Sequence, residues 1–121
     1  MIRLYHKDVY FKDYFKNDAL KLVKTCKRLS NHTMNHISNQ DKKHTYTMKN
    51  LADATVKILR GQCELFEIET DNGKVIKCVY RVNLENKALC IVYRENIIVT
   101  CYVNNINDTH KTLDKNKYVN Y

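Results

Sequence analysis

The chain has no proline and no tryptophan, and only two of its 121 residues are glycine. With so few glycines it has no glycine-rich phosphate-binding loop, which argues against nucleoside triphosphate hydrolysis. No apolar run approaches the roughly 18 residues of a membrane span, and the N-terminus has no apolar signal-peptide core. We therefore expect a cytoplasmic protein with no membrane partner.

Cysteine occurs five times, an odd number, and no two cysteines form a CxxC pair. This usage argues against a disulfide framework and against a zinc site. Four of the five fall within apolar strand patterns, where a free thiol behaves as a small buried hydrophobe. The sequence thus predicts free thiols in a reducing compartment, with no metal and no other cofactor.

Acidic residues are scarce in the first half of the chain. The formal net charge is +8, and residues 1–60 supply all of it, with 13 Lys/Arg against 5 Asp/Glu, whereas residues 61–121 hold 8 of each. Aromatic residues lie among the first lysines: Tyr5, Tyr10, Phe11, Tyr14 and Phe15. This mixture favours a nucleic-acid surface, although lysines that merely keep exposed helix faces soluble would give the same count.

The length suits one hydrophobic core, and we expect a single domain over residues 1–121. Helical spacing of apolar residues predicts three helices before residue 61. The first, over residues 18–29, starts at Asn17 or Asp18, while Ser30 and Thr47 can cap the second and third. Gly61 ends the third helix in a left-handed conformation. The residues expected to face inward are Thr33, Met34 and Ile37 in the second helix and Met48, Leu51, Ala52, Thr55, Ile58 and Leu59 in the third.

After Gly61 the apolar period changes from helical spacing to alternation, which indicates strands. They are expected over residues 63–69, 74–83, 87–94 and 97–104, with turns at Asn72-Gly73 and Glu95-Asn96. The predicted fold is α+β, with N-terminal helices packed on a four-stranded antiparallel meander sheet. In this scheme residues 1–60 are helical, residues 62–104 form the sheet, and residues 105–121 are an irregular tail.

The last strand carries two hydroxyl side chains on one face. Residues two apart on a strand point the same way, so Thr100 and Tyr102 share a face, while Val99, Cys101 and Val103 share the other, buried one. In a basic chain, the polar face is where we expect an anionic substrate.

Metal-free cleavage of RNA needs a base, cations that neutralise the phosphorane, and an acid for the leaving oxygen. His32 and His36 are one helical turn apart, with His44 nearby. Such histidines can be surface residues, metal ligands or proton-transfer groups, and His32 is the candidate for proton transfer. The cations expected near the sheet are Lys42, Lys43, Arg60, Arg81 and Arg94.

Several segments resemble the barnase–EndoU–colicin–RelE superfamily of small bacterial toxin-like domains. They are Leu29-Ser30-Asn31-His32-Thr33-Met34-Asn35-His36-Ile37, the helix end Leu59-Arg60-Gly61, the strand Val99-Thr100-Cys101-Tyr102, and the tail around Asp108-Thr109-His110-Lys111. The resemblance covers roughly residues 29–118. It matches His32 to the family's helix histidine and Thr100 and Tyr102 to its last-strand hydroxyls, whereas His36 stands where members often carry arginine.

The resemblance implies a metal-independent endoribonuclease that acts on tRNA or mRNA, with an antitoxin or immunity protein as a further partner. His32 would be the base or acid, Arg81 or Lys43 would stabilise the phosphorane, and Thr100, Tyr102 and His110 would position groups or donate a proton. Lys42, Lys43, Arg60 and Arg94 would bind RNA. The alternative is a non-catalytic RNA- or protein-binding module, such as a phage or mobile-element regulator. Convergence of His32, Thr100 and Tyr102 in one basic cleft would favour the enzyme.

Overall fold

The computed structural model describes residues 2–5 and 14–104, in which three helices accompany one six-stranded sheet. The helices are α1 (Lys16–Lys24), α2 (Asn31–His36) and α3 (Met48–Leu59). The strands are β1 (Ile2–Tyr5), β2 (Arg28–Leu29), β3 (Glu64–Asp71), β4 (Lys74–Asn83), β5 (Ala88–Arg94) and β6 (Ile97–Asn104). This is the α+β class that the sequence predicts. In the described part of the chain, no helix has the length and apolar character needed to cross a membrane.

Strands β3 to β6 form the predicted antiparallel meander, and their ends lie within two residues of the expected positions. The β3–β4 turn has positive φ at both central residues, 53° at Asn72 and 78° at Gly73. A tight two-residue hairpin needs this geometry, and asparagine followed by glycine adopts it readily. Gly61, with φ of 76°, likewise follows α3 in the left-handed region, as predicted.

The sheet also contains two strands in the region predicted to be helical, so it is neither four-stranded nor purely antiparallel. β1 pairs antiparallel with β3 and β2 pairs parallel with β6, which makes the order β1-β3-β4-β5-β6-β2. At two residues, β2 is too short to show an alternating pattern. It is held by backbone hydrogen bonds of 2.9 Å from the N–H groups of Lys27 and Ser30 to the carbonyls of Asn96 and Ile98.

Two of the three predicted helix starts carry the expected capping hydrogen bonds. Ser30 Oγ accepts a bond of 3.1 Å from the N–H of Thr33. Thr47 and Asn50 form a reciprocal capping box, with bonds of 3.1 and 2.8 Å. The first helix differs: it starts at Lys16 with no side-chain cap and ends at residue 24, because residues 28–29 extend along β6 instead.

The core lies between the sheet and the helices α1 and α3, on what we call the inner face. α3 packs through Asn50, Ala54 and Ile58, which are four residues apart, together with Leu51. The prediction of which α3 residues face inward is therefore only half correct. Met48, Ala52 and Leu59 of α3 are exposed, as is Met34 of α2. Apolar spacing alone did not show which row of α3 would meet the sheet.

Candidate functional site

The sheet face that points away from α1 and α3, called the outer face, carries several of the predicted site residues. Strand register arranges its side chains in rows: Arg81 is opposite Cys90, which is opposite Tyr102. Thr100 lies in the next row, opposite Val92. Because neighbouring strands are about 4.8 Å apart, the Cα atoms of Arg81 and Tyr102 are about 10 Å from each other.

A β-bulge in β6 changes the predicted division of its side chains. Val92 and Tyr93 are adjacent in β5, but their partners Thr100 and Ile98 are two residues apart, so Val99 is the extra residue. Val99 packs against the apolar cluster of the outer face, whereas strict alternation predicts it on the inner face. A bulge interrupts the alternation locally, which explains the difference.

Thr100 and Tyr102 share the outer face as predicted, and Cys101 between them packs in the inner core. The outer face is nevertheless not an open polar surface. Its centre is an apolar cluster of Phe66, Val79 and Val92, with Val99 and Tyr102 packed against it. Thr100 is only 2% exposed, and although Tyr102 as a whole is half-buried, its hydroxyl oxygen is buried. These two hydroxyls therefore do not line an open basic cleft with His32.

Helix α2 is fixed to the bulged part of β6 by two hydroxyl side chains. Ser30 Oγ and Thr33 Oγ1 donate hydrogen bonds of 2.6 and 3.3 Å to two consecutive carbonyls of β6. The hydroxyl of buried Tyr46 donates to the carbonyl of Thr33 at 3.2 Å. His32 lies between Ser30 and Thr33, and these bonds therefore hold it beside the strand that carries Thr100.

His32 and His36 are both exposed, and their ring centroids are 4.6 Å apart. His44, the third histidine of this part of the sequence, is exposed in the loop before α3. Within residues 14–104, no three His, Cys, Asp or Glu side chains are grouped so as to hold a metal ion. Metal binding by these histidines would need further ligands, whereas proton transfer by a histidine needs none.

Arg81 is buried within β4 at one end of the row that it shares with Tyr102. It lines a cavity of about 280 Å³ next to the end of α3. The other lining residues are Lys57, Gln62, Cys63, Glu64 and Asn83. The cavity gives an otherwise buried guanidinium an approach from the end of the sheet.

The outer face also contains a group of charged side chains that the sequence did not predict. Lys77 Nζ lies 3.7 Å from Glu67 Oε1 and 4.0 Å from Glu69 Oε2, and Arg94 Nη1 lies 3.8 Å from Glu69 Oε1. The side chains of Lys77 and Glu67 are fully buried, and that of Arg94 is 37% exposed. The register set by the hairpin turn pairs Asp71 with Lys74 and would place Glu69 opposite Ile76, but a register shift between Glu69 and Thr70 brings Glu69 opposite Lys77 instead. The turn therefore does not predict this charged group. Arg94, predicted to bind RNA, thus also neutralises a buried carboxylate.

The remaining predicted cations lie outside the outer face. Lys42 and Lys43 are exposed in the loop before α3, and Arg60 is exposed at the end of that helix. Buried Lys87 anchors this loop to the start of β5: its Nζ donates to the carbonyls of Lys42 and Thr45 at 2.7 and 2.8 Å and to the carboxylate of Asp41. Lys42 therefore contributes its backbone to a structural contact and leaves its side chain in solvent.

The cysteines are free thiols, as predicted. Cys78, Cys90 and Cys101 are buried, and burial raises the pKa of the Cys78 and Cys101 thiols. Cys26 and Cys63 are half-buried, and burial also raises their pKa. A raised pKa reduces the thiolate fraction, so the pKa directions argue against a cysteine nucleophile at these four positions.

The outer face carries four of the predicted site residues: Arg81, Arg94, Thr100 and Tyr102. His32 lies beside β6, while Lys42, Lys43 and Arg60 are elsewhere on the surface. His110 lies outside the described residues. Comparison of the chain with protein-family models, with curated proteins and with solved structures finds no match in any of the three.

Proposed function

We propose that the protein is a metal-independent endoribonuclease of the toxin type, with its site beside β6, where α2 is hydrogen-bonded to that strand. The observation that carries the proposal is a juxtaposition of three distant parts of the chain. Arg81 and Tyr102 share one cross-strand row, Thr100 lies in the next row, and the helix bearing His32 is hydrogen-bonded to the same strand. The resemblance to the barnase–EndoU–colicin–RelE superfamily supports the same chemistry.

In the proposed reaction, His32 accepts the proton of a ribose 2′-hydroxyl, and the 2′-oxygen attacks the adjacent phosphorus. Arg81 neutralises the negative charge of the phosphorane as the new P–O bond forms. The bond from phosphorus to the 5′-oxygen then breaks, and that oxygen takes a proton from His110. Tyr102, whose hydroxyl is buried, has a positioning role. The products are a 2′,3′-cyclic phosphate and a 5′-hydroxyl end. tRNA or mRNA is the substrate that the resemblance implies.

Thr100 likewise has an indirect role because its side chain is almost fully buried. It is a positioning residue for Tyr102, which lies two residues further along the same face. Thr100→Val keeps the shape of the side chain and removes the hydroxyl, and Tyr102→Phe does the same for the phenol. We expect the second change to reduce cleavage more than the first.

The test of the enzyme is RNA cleavage in the presence of EDTA. We expect the purified protein to cut RNA into fragments with cyclic phosphate ends and to leave a fully 2′-deoxy oligonucleotide intact. His32→Ala should lower the cleavage rate by roughly 10²–10⁴-fold, the usual contribution of general acid–base catalysis. His44→Ala is the matched control, because it removes an exposed histidine from the loop before α3, whereas the His36 ring contacts that of His32. His44→Ala should leave the rate nearly unchanged.

A non-catalytic RNA-binding module is the second candidate, and the distribution of exposed charge favours it. Residues 14–60 contain ten Lys/Arg and three Asp/Glu, a net charge of +7, and nine of the ten cations are exposed. If the parent protein cleaves neither tRNA, mRNA nor ribosome-bound message but still binds RNA, the enzyme proposal fails and the binding module stands.

A further inference from the structure

Helix α3 has an apolar row that faces solvent. Met48, Ala52 and Val56 are spaced by four residues, which places them on one side of the helix, and Leu59 continues the row. Met48 is 55% exposed, Val56 45% and Leu59 46%. Since α3 already buries its opposite side against the sheet, this second apolar row has no role in the core. Apolar residues that are exposed together, unlike single ones, are typical of interaction surfaces.

A groove of about 300 Å³ runs beside this row, between α3 and the segment that joins α1 to β2. Its lining is mostly apolar and includes Val23, Leu29, Leu51, Tyr93 and Ile98. Met48 and Ala52 belong to both the groove and the exposed row. The groove and the row therefore form one surface, which we call the α3 surface.

The charged residues that line the groove have one sign. Lys27 and Arg28 line it and are exposed, and among the described residues that line it there is no Asp or Glu. On the other side of the row the charge is mixed, because Val56 lines a second cavity together with three acidic and three basic residues: Asp41, Asp53, Glu85, Lys49, Lys57 and Arg60. The positive rim of the α3 surface is therefore the one that Lys27 and Arg28 form at the groove.

We propose that the α3 surface binds an acidic amphipathic helix of a partner protein. The apolar side of such a helix would lie in the groove and along Met48 and Val56, and its acidic side chains would face Lys27 and Arg28. Recognition of an amphipathic helix by an apolar groove depends on anchors at this spacing. Opposite charge on the two partners speeds their association and sets their orientation.

Two other occupants fit the α3 surface less well. A second copy of this chain would bring like-charged rims together on a protein of net charge +8, which opposes association. RNA would place phosphates over an apolar floor, which offers them no hydrogen-bond donors. The α3 surface also lies on the helical side of the sheet, so a bound partner helix leaves the outer face open and does not depend on the proposed ribonuclease activity.

The experiment uses a synthetic helix-forming peptide of about 18 residues, five turns long, with leucines on one side and glutamates on the other. A scrambled peptide of identical composition, whose leucines do not share a side, is the control. Fluorescence anisotropy at about 150 mM salt, where surface charges are well screened, gives the affinities. We expect the amphipathic peptide to bind at least about tenfold tighter than the scrambled one. Amide chemical-shift changes in NMR spectra should concentrate in residues 23–29 and 48–59.

Exposed side chains allow variants that leave the core unchanged. The double change Met48→Gln and Val56→Gln should weaken the peptide at least about tenfold, since a few apolar anchors carry most of an interface's binding energy. Met34→Gln is the matched control, because Met34 is equally exposed at 57% but lies on α2. Lys27→Glu with Arg28→Glu should also weaken binding, whereas Lys74→Glu, in the exposed β3–β4 hairpin, should not.

Three results would overturn the proposal. Equal binding of the two peptides would mean that charge alone attracts them. Binding that is unaffected by the Met48 and Val56 double change would place the peptide elsewhere. Self-association that disappears in the same double variant would assign the surface to a second copy of the chain. Unchanged RNA cleavage with peptide bound would support the proposal.

Discussion

Residues 14–60, which we call the helical layer, differ from the sheet in the burial of their lysines and arginines. Between residues 14 and 60, nine of ten are exposed, and the tenth, Lys57, is half-buried. Of the five between residues 61 and 104, by contrast, Lys77, Arg81 and Lys87 are buried, Arg94 is half-buried and Lys74 is exposed. The same residue types therefore supply surface charge in one region and internal contacts in the other. A count of charges along the sequence does not distinguish the two uses.

The physical reason is the solvation of each cation. A buried ammonium group loses its hydration, and the loss is tolerable only where carboxylates or carbonyls replace the water. Lys77 has Glu67 and Glu69 within 4.0 Å, and Lys87 has two carbonyls and the Asp41 carboxylate. The helical cations keep their water and are available to an anionic partner. We therefore expect substitutions in the two regions to have different effects.

The largest expected effect is at Lys77. Lys77→Met keeps most of the side-chain volume but removes the cation between Glu67 and Glu69. Removing one partner of a buried ion pair typically costs about 3–5 kcal/mol of the free energy of unfolding, because the remaining charge is left buried. Urea denaturation of the variant measures this cost. Lys24→Met, at an exposed lysine of α1, should change stability by less than about 0.5 kcal/mol, and equal effects at the two lysines would remove the distinction between the regions.

A smaller effect is expected at Asp41 and should depend on pH. The hydrogen bond from Lys87 lowers the pKa of Asp41 below its ordinary value of 3.8. Because the pKa is lower in the folded than in the unfolded state, the contribution to stability is fully present above about pH 5 and is lost as the pH falls through the folded-state value. The unfolding free energy of the parent should therefore fall more steeply below pH 5 than that of Asp41→Asn.

Urea denaturation between about pH 7 and 3 tests this dependence on acid. Asp53→Asn is the control, since the Asp53–Lys49 pair lies on the surface and such pairs contribute little. A parent and an Asp41→Asn variant with parallel pH profiles would show that the Lys87 contact does not stabilise the loop before α3.

The smallest effect on stability, within about 0.5 kcal/mol, is expected when exposed lysines of α1 are removed. Lys21→Ala with Lys24→Ala should instead change RNA binding, whose affinity should fall steeply between about 50 and 200 mM salt through counterion release. The slope of log affinity against log salt should decrease by about one for each lysine that contacts a phosphate. An affinity of the parent that stays flat over this range would exclude the helical layer as an electrostatic RNA surface.

Features of the fold that depend on near neighbours could be predicted from the sequence. The caps at Ser30 and Thr47, the end of α3 at Gly61 and the Asn72-Gly73 hairpin each act within a few residues. The alternation of apolar residues after Gly61 likewise predicted four strands of the sheet. For the candidate site, the same local rule correctly put Thr100 and Tyr102 on one face.

Features that depend on distant parts of the chain were decided only by the tertiary structure. Ser30 meets Val99, 69 residues away, and Lys87 meets Asp41 across 46 residues. The short strand β2, the side of α3 that is buried and the burial of Lys77 depend equally on what each segment packs against. The sequence alone determined the local conformations and the net charge, because these are set by each residue and its neighbours. Which charges and apolar residues remain exposed was decided by packing, because burial is a property of the assembled core.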